Sequence, residues 1–185
     1  MGKVTVDQTM AGFILRYKAS TSTPSENLGH VDAVLPGGAP FGFYASGRDG
    51  LLRSIVSTEG VVMDYPLLSA RRPEYVDMKS ARAKPCRSVL AVFDVSPAAA
   101  RSLWSFWGYL RSRAPVYRAA GSNCASYIAE ALDEAGILKG GVDGIDTPDH
   151  LLDTVLRSKL KVFLLEGFVS FTPRPKGEFL VELET

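Results

Sequence analysis

Apolar and polar positions alternate through most of the first half of the chain and then give way to spacings of three and four. In "FILRYKA" Phe13, Leu15 and Tyr17 share one side, and in "GHVDAVL" Val31, Ala33 and Leu35 do; "FGFYAS" follows after "LPGGAP". A period of two places alternate residues on one face of a pleated strand, so the three stretches are predicted as antiparallel strands. Gly37 and Gly38 of "LPGGAP" can take the positive φ that a tight reversal requires, and the second and third strands are predicted to pair as a hairpin. "SVLAVFDV" is apolar without alternation, as in a strand buried on both faces. "KVFLLEGFVSFTP" and "GEFLVELE" return to strand patterning.

Three stretches between these carry helical signals. "SPAAARSLWSFWGYLRSR" has Ser96 as cap, Pro97 at the first helical position and Leu103, Trp104, Trp107 and Leu110 at helical spacing, which predicts both tryptophans in the core. A second helix is predicted from near Cys124 through "ASYIAEALDEAG", stopping at Gly136. A third starts in "DTPDHLLDTVLRS", where Thr147 caps, Pro148 opens and Asp149 suits the positive end of the helix dipole. His150 falls in its first turn and is expected to face solvent or serve the cap. With no internal repeat and no linker, the prediction is one α+β domain over residues 1–185.

Composition narrows the function without naming it. The chain is 46% hydrophobic and 22% charged, with 21 Lys and Arg against 20 Asp and Glu. That balance indicates neither disorder nor the basic field of a nucleic-acid binder, so no nucleic acid is expected as a partner. Arg71, Arg72, Lys79, Arg82, Lys84 and Arg87 do gather in "SARRPEYVDMKSARAKPCR", but without an aromatic stacking pattern, and the segment is expected to be a solvated loop. No apolar run is long enough to cross a bilayer, and "MGKVTVDQTMAGF" lacks a signal peptide's apolar segment. The expectation is a protein that is cytoplasmic as synthesised and does not insert stably into a membrane. Two cysteines and two histidines offer little to a metal, and Cys86 and Cys124 are expected as thiols.

The candidate chemistry centres on "AAGSNCASYIAEALDEAGI". Cys124 falls in the first turn of a predicted helix, where free N–H groups and the helix dipole lower a thiol's pKa. Ser122 or Asn123 can cap that helix, and the N–H groups of Cys124 and its neighbour are placed for a developing oxyanion. A sulfur nucleophile needs a base, and His30 is the better of the two histidines because its strand turns Val31, Ala33 and Leu35 to the other face. Asp32 is two residues on, on the side of His30, where it can steady the imidazole if its side chain reaches. Tyr44 and Ser46 of the paired strand are further candidates for that orienting role. The competing reading makes Cys124 and His30 packing residues of a binding module without catalysis.

Taken together, "LGHVDAVLPGG" with "FGFYAS", "SVLAVFDVSPAAARSLWSFWGYL" and "YRAAGSNCASYIAEALDEAGI" resemble the circularly permuted branch of the NlpC-type, papain-like superfamily, in which the histidine strand precedes the cysteine helix. The similarity spans roughly residues 28 to 137. It implies a papain-like fold, an antiparallel sheet or small barrel against a helical layer that carries the nucleophile helix. It also implies a thiol hydrolase or acyltransferase with Cys124 as nucleophile, His30 as base and Asp32 as one candidate for a variable third position. Tyr117 resembles a tyrosine that some members place near the oxyanion, and Asn123 and Tyr44 are the other substrate-adjacent candidates. No metal or organic cofactor is implied. The substrate class implied is an amide bond in the peptide stem of peptidoglycan, cleaved by an endopeptidase or amidase. The chain also resembles amidase effectors delivered into rival cells by type VI secretion, which implies export to a target periplasm and an immunity or inhibitor protein as partner. A same-fold alternative is an acyltransferase or lipid-ester hydrolase resembling lecithin:retinol acyltransferase, whose membrane-anchoring helix is missing here.

Overall fold

The computed structural model describes residues 2–18, 29–46, 58–113, 115–138, 144 and 147–185. Ala19, Leu28 and Asp146, which fall within stretches read above, lie outside the described residues. Among the described residues nine strands form one sheet: β1 (Gly2–Val6), β2 (Met10–Lys18), β3 (His30–Val34), β4 (Pro40–Ala45), β5 (Thr58–Met63), β6 (Cys86–Asp94), β7 (Val116–Tyr117), β8 (Val162–Pro173) and β9 (Phe179–Glu184). Their spatial order is β1-β9-β8-β6-β2-β3-β4-β5-β7, and each pairing is antiparallel. Five helices among the described residues accompany them: α1 (Tyr65–Arg71), α2 (Met78–Ala83), α3 (Pro97–Ser112), α4 (Cys124–Glu134) and α5 (Pro148–Arg157). The chain is thus an α+β protein built on an open antiparallel sheet.

The predicted hairpin is present. Gly37 and Gly38 have φ of 88° and 84°, and the turn puts Asp32 opposite Gly42, Ala33 opposite Phe41 and Val34 opposite Pro40. The predicted helix starts also hold. Ser96 Oγ accepts from the Ala99 N–H at 3.1 Å and Thr147 Oγ1 from the His150 N–H at 3.2 Å, each ahead of a proline whose missing N–H costs the first turn nothing. His150 is exposed beside that cap, with Nδ1 3.0 Å from the Gly144 carbonyl.

Both faces of the sheet are buried, each for a different reason. On one, Phe13, Leu15, Val31, Ala33, Phe41 and Phe43 pack against Leu103 and Trp107 of α3, Ile128 and Leu132 of α4, and Leu151 and Val155 of α5. The other face is covered by the sheet itself. The first half of β8 pairs with β6 up to Gly167, and its second half leaves β6 to pair with β9. Val169, Phe171, Val181 and Leu183 of that second layer, with Val6 of β1, close over Ile14, Val34, Leu90 and Val92. Leu68 of α1 and Tyr75 fill the open side.

Two expectations are corrected here. The basic stretch is not a loop: it comprises the end of α1, a 3-10 turn at Pro73–Tyr75, α2 and the start of β6. Five of its six cations are exposed as expected, but Arg72 is half-buried. Of the two tryptophans, Trp107 is in the core at 1% exposure, whereas Trp104 is 39% exposed, its ring meeting the edge of Phe41 at 5.6 Å. The i, i+3 spacing puts the two indoles near one stripe but not at equal depth.

Candidate active site

The loop before α4 is shaped by short-range hydrogen bonds. β7 pairs with β5 at the sheet edge, and the Arg118 N–H donates to the Ser122 carbonyl at 2.8 Å around Gly121, whose φ is 83°. Asn123 then caps the helix. Its Oδ1 accepts from the Ala125 and Ser126 N–H groups at 2.9 and 3.1 Å, its own N–H donates to Ser126 Oγ at 2.8 Å, and its Nδ2 donates to the Ala119 carbonyl at 2.8 Å. This capping box consumes donors that a bare helix start would leave open. Asn123 is therefore the cap, with its side-chain amide bonded to the first turn and to the loop before it. The N–H of Ala125, expected to flank an oxyanion, is spent on that cap as well.

Cys124, the first residue of α4, is 6% exposed and packs over the amino end of β3. Its sulfur is close enough to the His30 ring and to the Val31 N–H for both to favour its thiolate form. His30 opens β3, directly across from Arg16 of β2. His30 Nε2 lies 2.8 Å from Asp32 Oδ1. A carboxylate acceptor there makes Nε2 a protonated nitrogen and leaves Nδ1 as the ring nitrogen available to the sulfur. Cys124, His30 and Asp32 thus form one interacting line.

Asp32 is fully buried and held on both oxygens. Oδ1 also accepts from Tyr44 Oη at 2.6 Å, and Oδ2 accepts from Arg16 Nε at 3.0 Å. Arg16 is itself 1% exposed, with Nη1 3.3 Å from Ser88 Oγ. The space for this cluster comes from Gly42: a Cβ at that position would sit 2.1 Å from Asp32 Oδ1 and 2.4 Å from the Tyr44 ring. The Tyr44 ring stacks on His30 at 4.3 Å and 22°, and Tyr75 lies beyond at 5.9 Å.

Electrostatics follow from that packing. Burial by itself would lower the His30 pKa, but the charges of Cys124 and Asp32 outweigh it and lift the imidazole to about 9. Burial would raise the Cys124 thiol, and the imidazolium and its hydrogen bond reverse that, leaving the thiol below its ordinary range. Asp32 is likewise held well below the usual carboxylate range by His30 and Arg16 against the cost of burial. Both shifts favour a thiolate–imidazolium pair, which titrates as a unit. Tyr117, half-buried and 5.4 Å from the Phe43 ring, is near enough to Cys124 that burial and the sulfur's charge both push its phenol up, so it keeps its proton.

Comparison with protein-family models, with curated proteins and with solved structures finds no match. The residues must therefore be weighed on their own geometry. The structure brings together four of the sequence-predicted residues, Cys124, His30, Asp32 and Tyr44, with Tyr117 alongside. Ser46 does not join them; it is exposed at the end of β4 and its N–H donates to Glu59. Cys86 is buried in the opposite core layer.

Sequence reasoning missed Arg16, Ser88, Arg72 and Tyr75. The available signal was Arg16 itself, a cation on a strand whose neighbours Ile14 and Leu15 are both apolar, facing the side that carries Asp32. Among the described residues no group of three or more His, Cys, Asp or Glu is placed to hold a metal ion, and no helix is long and apolar enough to cross a membrane. Two grooves, of about 350 Å³ beside Arg71 and Arg111 and about 420 Å³ between α3 and α4, are lined by none of the Cys124, His30 or Asp32 side chains.

Proposed function

We propose that the chain is a cysteine hydrolase of the permuted NlpC-type, papain-like kind that cleaves an amide bond, with the peptide stem of peptidoglycan as the leading substrate class. The observation that carries this is the line from the Cys124 sulfur through the His30 ring to Asp32, with Nε2 to Oδ1 at 2.8 Å. A core-filling cysteine and an incidental strand histidine have no reason to be joined in that order, with a buried carboxylate fixing the tautomer.

The Cys124 thiolate attacks the amide carbonyl while the imidazolium holds the proton that the leaving amine needs. The bond from carbon to sulfur forms, the carbonyl becomes a tetrahedral oxyanion, and His30 delivers its proton as the carbon–nitrogen bond breaks. Water, deprotonated by the now neutral His30, then releases the acyl group and restores the thiolate. The N–H of Cys124 at the start of α4 and the protonated phenol of Tyr117 are the donors offered to the oxyanion. Asp32 keeps Nε2 protonated and the ring in plane, and Tyr44 and Arg16 keep Asp32 in place.

Brief iodoacetamide treatment near neutral pH, read by mass spectrometry, tests the nucleophile. Cys124 is expected to label much faster than Cys86, which is also buried, and His30→Ala to slow it by more than about tenfold. Equal labelling of both cysteines would remove the reading. Digestion of purified peptidoglycan by the wild type and by Cys124→Ala tests the substrate: new amines and shortened stems are expected with the wild type alone. The effector analogy adds an export route and an immunity partner to this proposal, and co-expression of a neighbouring gene product that blocks Cys124 labelling tests that addition.

A further inference from the structure

One cation beside the site is left unspent by the mechanism. Arg72 joins α1 to the 3-10 turn at Pro73–Tyr75, and its N–H donates to the Leu68 carbonyl at 2.7 Å, which fixes where the side chain leaves the backbone. The guanidinium carbon lies 4.8 Å over the Tyr44 ring and 5.5 Å over the Tyr75 ring. Tyr44 is the ring that stacks on His30 at 4.3 Å. Arg72 therefore stands one aromatic ring from the catalytic imidazole, at the rim of the same layer. Its charge is also felt by Tyr117, the phenol that senses Cys124.

Three of its neighbours in the basic stretch behave differently, while Arg71 and Lys79 are exposed. Arg82, Lys84 and Arg87 each hold a carboxylate, those of Glu184, Glu74 and Glu166. Asp32, the acid nearest the site, is taken by Arg16 and His30. Among the described residues, no carboxylate is in ion-pair contact with Arg72. A half-buried guanidinium held over aromatic rings still has N–H donors to offer, and its planar fork matches a carboxylate with two parallel hydrogen bonds. A cation held there without a carboxylate partner is completed by an anionic ligand.

We propose that Arg72 is the carboxylate-binding residue of the substrate site, so that the preferred amide is flanked by a free carboxylate of the peptide. This rests on the cysteine-hydrolase reading, and names the chemistry that reading leaves open. Peptides that present an acidic side chain or a terminal carboxyl beside the scissile bond fit it, and their amidated counterparts are poorer substrates.

The test uses the full chain and pairs of thiol probes that differ in one group: iodoacetyl-glycine and iodoacetyl-γ-aminobutyrate, each against its carboxamide. Rates of Cys124 alkylation are normalised to those of N-acetylcysteine with the same pair. The wild type is expected to favour the carboxylate of at least one pair by about tenfold, the scale of a charge-assisted bidentate contact. That preference should shrink as salt rises from about 0.05 to about 0.5 M. Arg72→Gln is expected to abolish the preference, slowing the carboxylate arm more than the carboxamide arm, and Arg72→Lys to restore part of it. Should Arg72→Gln misfold, the salt dependence in the wild type and the Arg72→Lys ratio still decide. Cys124 labelled readily by both arms, with no carboxylate preference in the wild type, overturns the Arg72 assignment alone. Cys124 labelled by neither arm overturns the hydrolase reading and this inference with it.

Discussion

The chemistry of the site is set by how four charged or chargeable side chains share one small buried volume. Cys124, His30, Asp32 and Arg16 sum to no net charge when the sulfur is a thiolate and the ring an imidazolium, and each opposite charge is in contact with its partner. A pair of this kind predicts a bell-shaped pH profile for the alkylation-competent, proton-donating enzyme. Below the lowered pKa of Cys124 the sulfur is protonated and activity falls. Above about pH 9 His30 loses its proton, and acyl transfer to the enzyme falls because the leaving amine has no acid. The alkaline limb of kcat/KM for acyl transfer is therefore expected near pH 9, with thiolate alkylation itself persisting beyond it; an alkaline limb near 6.5 would contradict the pairing. Arg16 acts through Asp32. Replacing it by Met leaves a fully buried carboxylate with one cation fewer, which is expected to cost about 3–5 kcal/mol of stability by urea unfolding. The alkaline limb should move up in the surviving fold, because His30 is then the one cation in contact with Asp32, with Tyr44 Oη still donating to it. An unchanged limb together with unchanged stability would show that Asp32 does not depend on Arg16.

At the scale of elements, the site is the meeting of a hairpin and a helix start, and each can be loosened separately. Asn123→Ala removes the cap acceptor for two N–H groups at once; a loss of about 1–2 kcal/mol is expected, with slower Cys124 labelling because the first turn frays. Gly42→Ala forces a methyl into Asp32 and Tyr44. The expected cost is about 1–3 kcal/mol, and the labelling rate should fall further than in Asn123→Ala, since the carboxylate itself is displaced. Equal effects of the two substitutions would argue that the clash relaxes elsewhere. The hairpin and the helix starts at Ser96, near Cys124 and at Thr147 were legible because each rests on local rules: a period of two, a cap, a turn glycine. The pairing of Cys124 with His30 is a long-range relation, reached only because the chain has two histidines and through the family resemblance. Asp32's contact with His30 was legible only as a direction along a strand, because side-chain reach is not written in spacing. The helices α1 and α2 were hidden by their charge and by Pro73 and Pro85, and they form because Asp64 and Asp77 cap them and Leu68, Tyr75 and Ala81 find the core.

At the scale of the whole molecule, the strands that carry the site were expected to keep one face polar, and the fold instead buries that face under β8, β9 and β1. The long β8 makes this closure by pairing with β9 along one half and with β6 along the other, and the β6 pairing joins residues some seventy to eighty apart, which no local pattern announces. Closure is what turns Arg16, Asp32 and His30 from surface groups into a coupled buried set, so global stability should carry their titrations. Asp32 has a lowered folded pKa, so its contribution is present above the ordinary carboxylate value near 3.8 and is lost as the pH falls through the depressed one. His30 has a raised folded pKa. Its contribution is complete below the unfolded value near 6.5 and is lost as the pH rises to about 9, where the sulfur and Asp32 lose the imidazolium between them. Cys124 has a lowered folded pKa and the opposite sign: its contribution grows as the pH rises toward its ordinary value near 9, so in the wild type it offsets the loss from His30, and urea midpoints are expected to stay close to level from about pH 6.5 to 9. In Cys124→Ala the sulfur's titration is gone, and the midpoint is expected to decline between about pH 6.5 and 9.5 as His30 gives up its proton to solvent. A Cys124→Ala midpoint that stays level, or rises, over that range would mean that the imidazolium is not part of what holds the two layers of the sheet together.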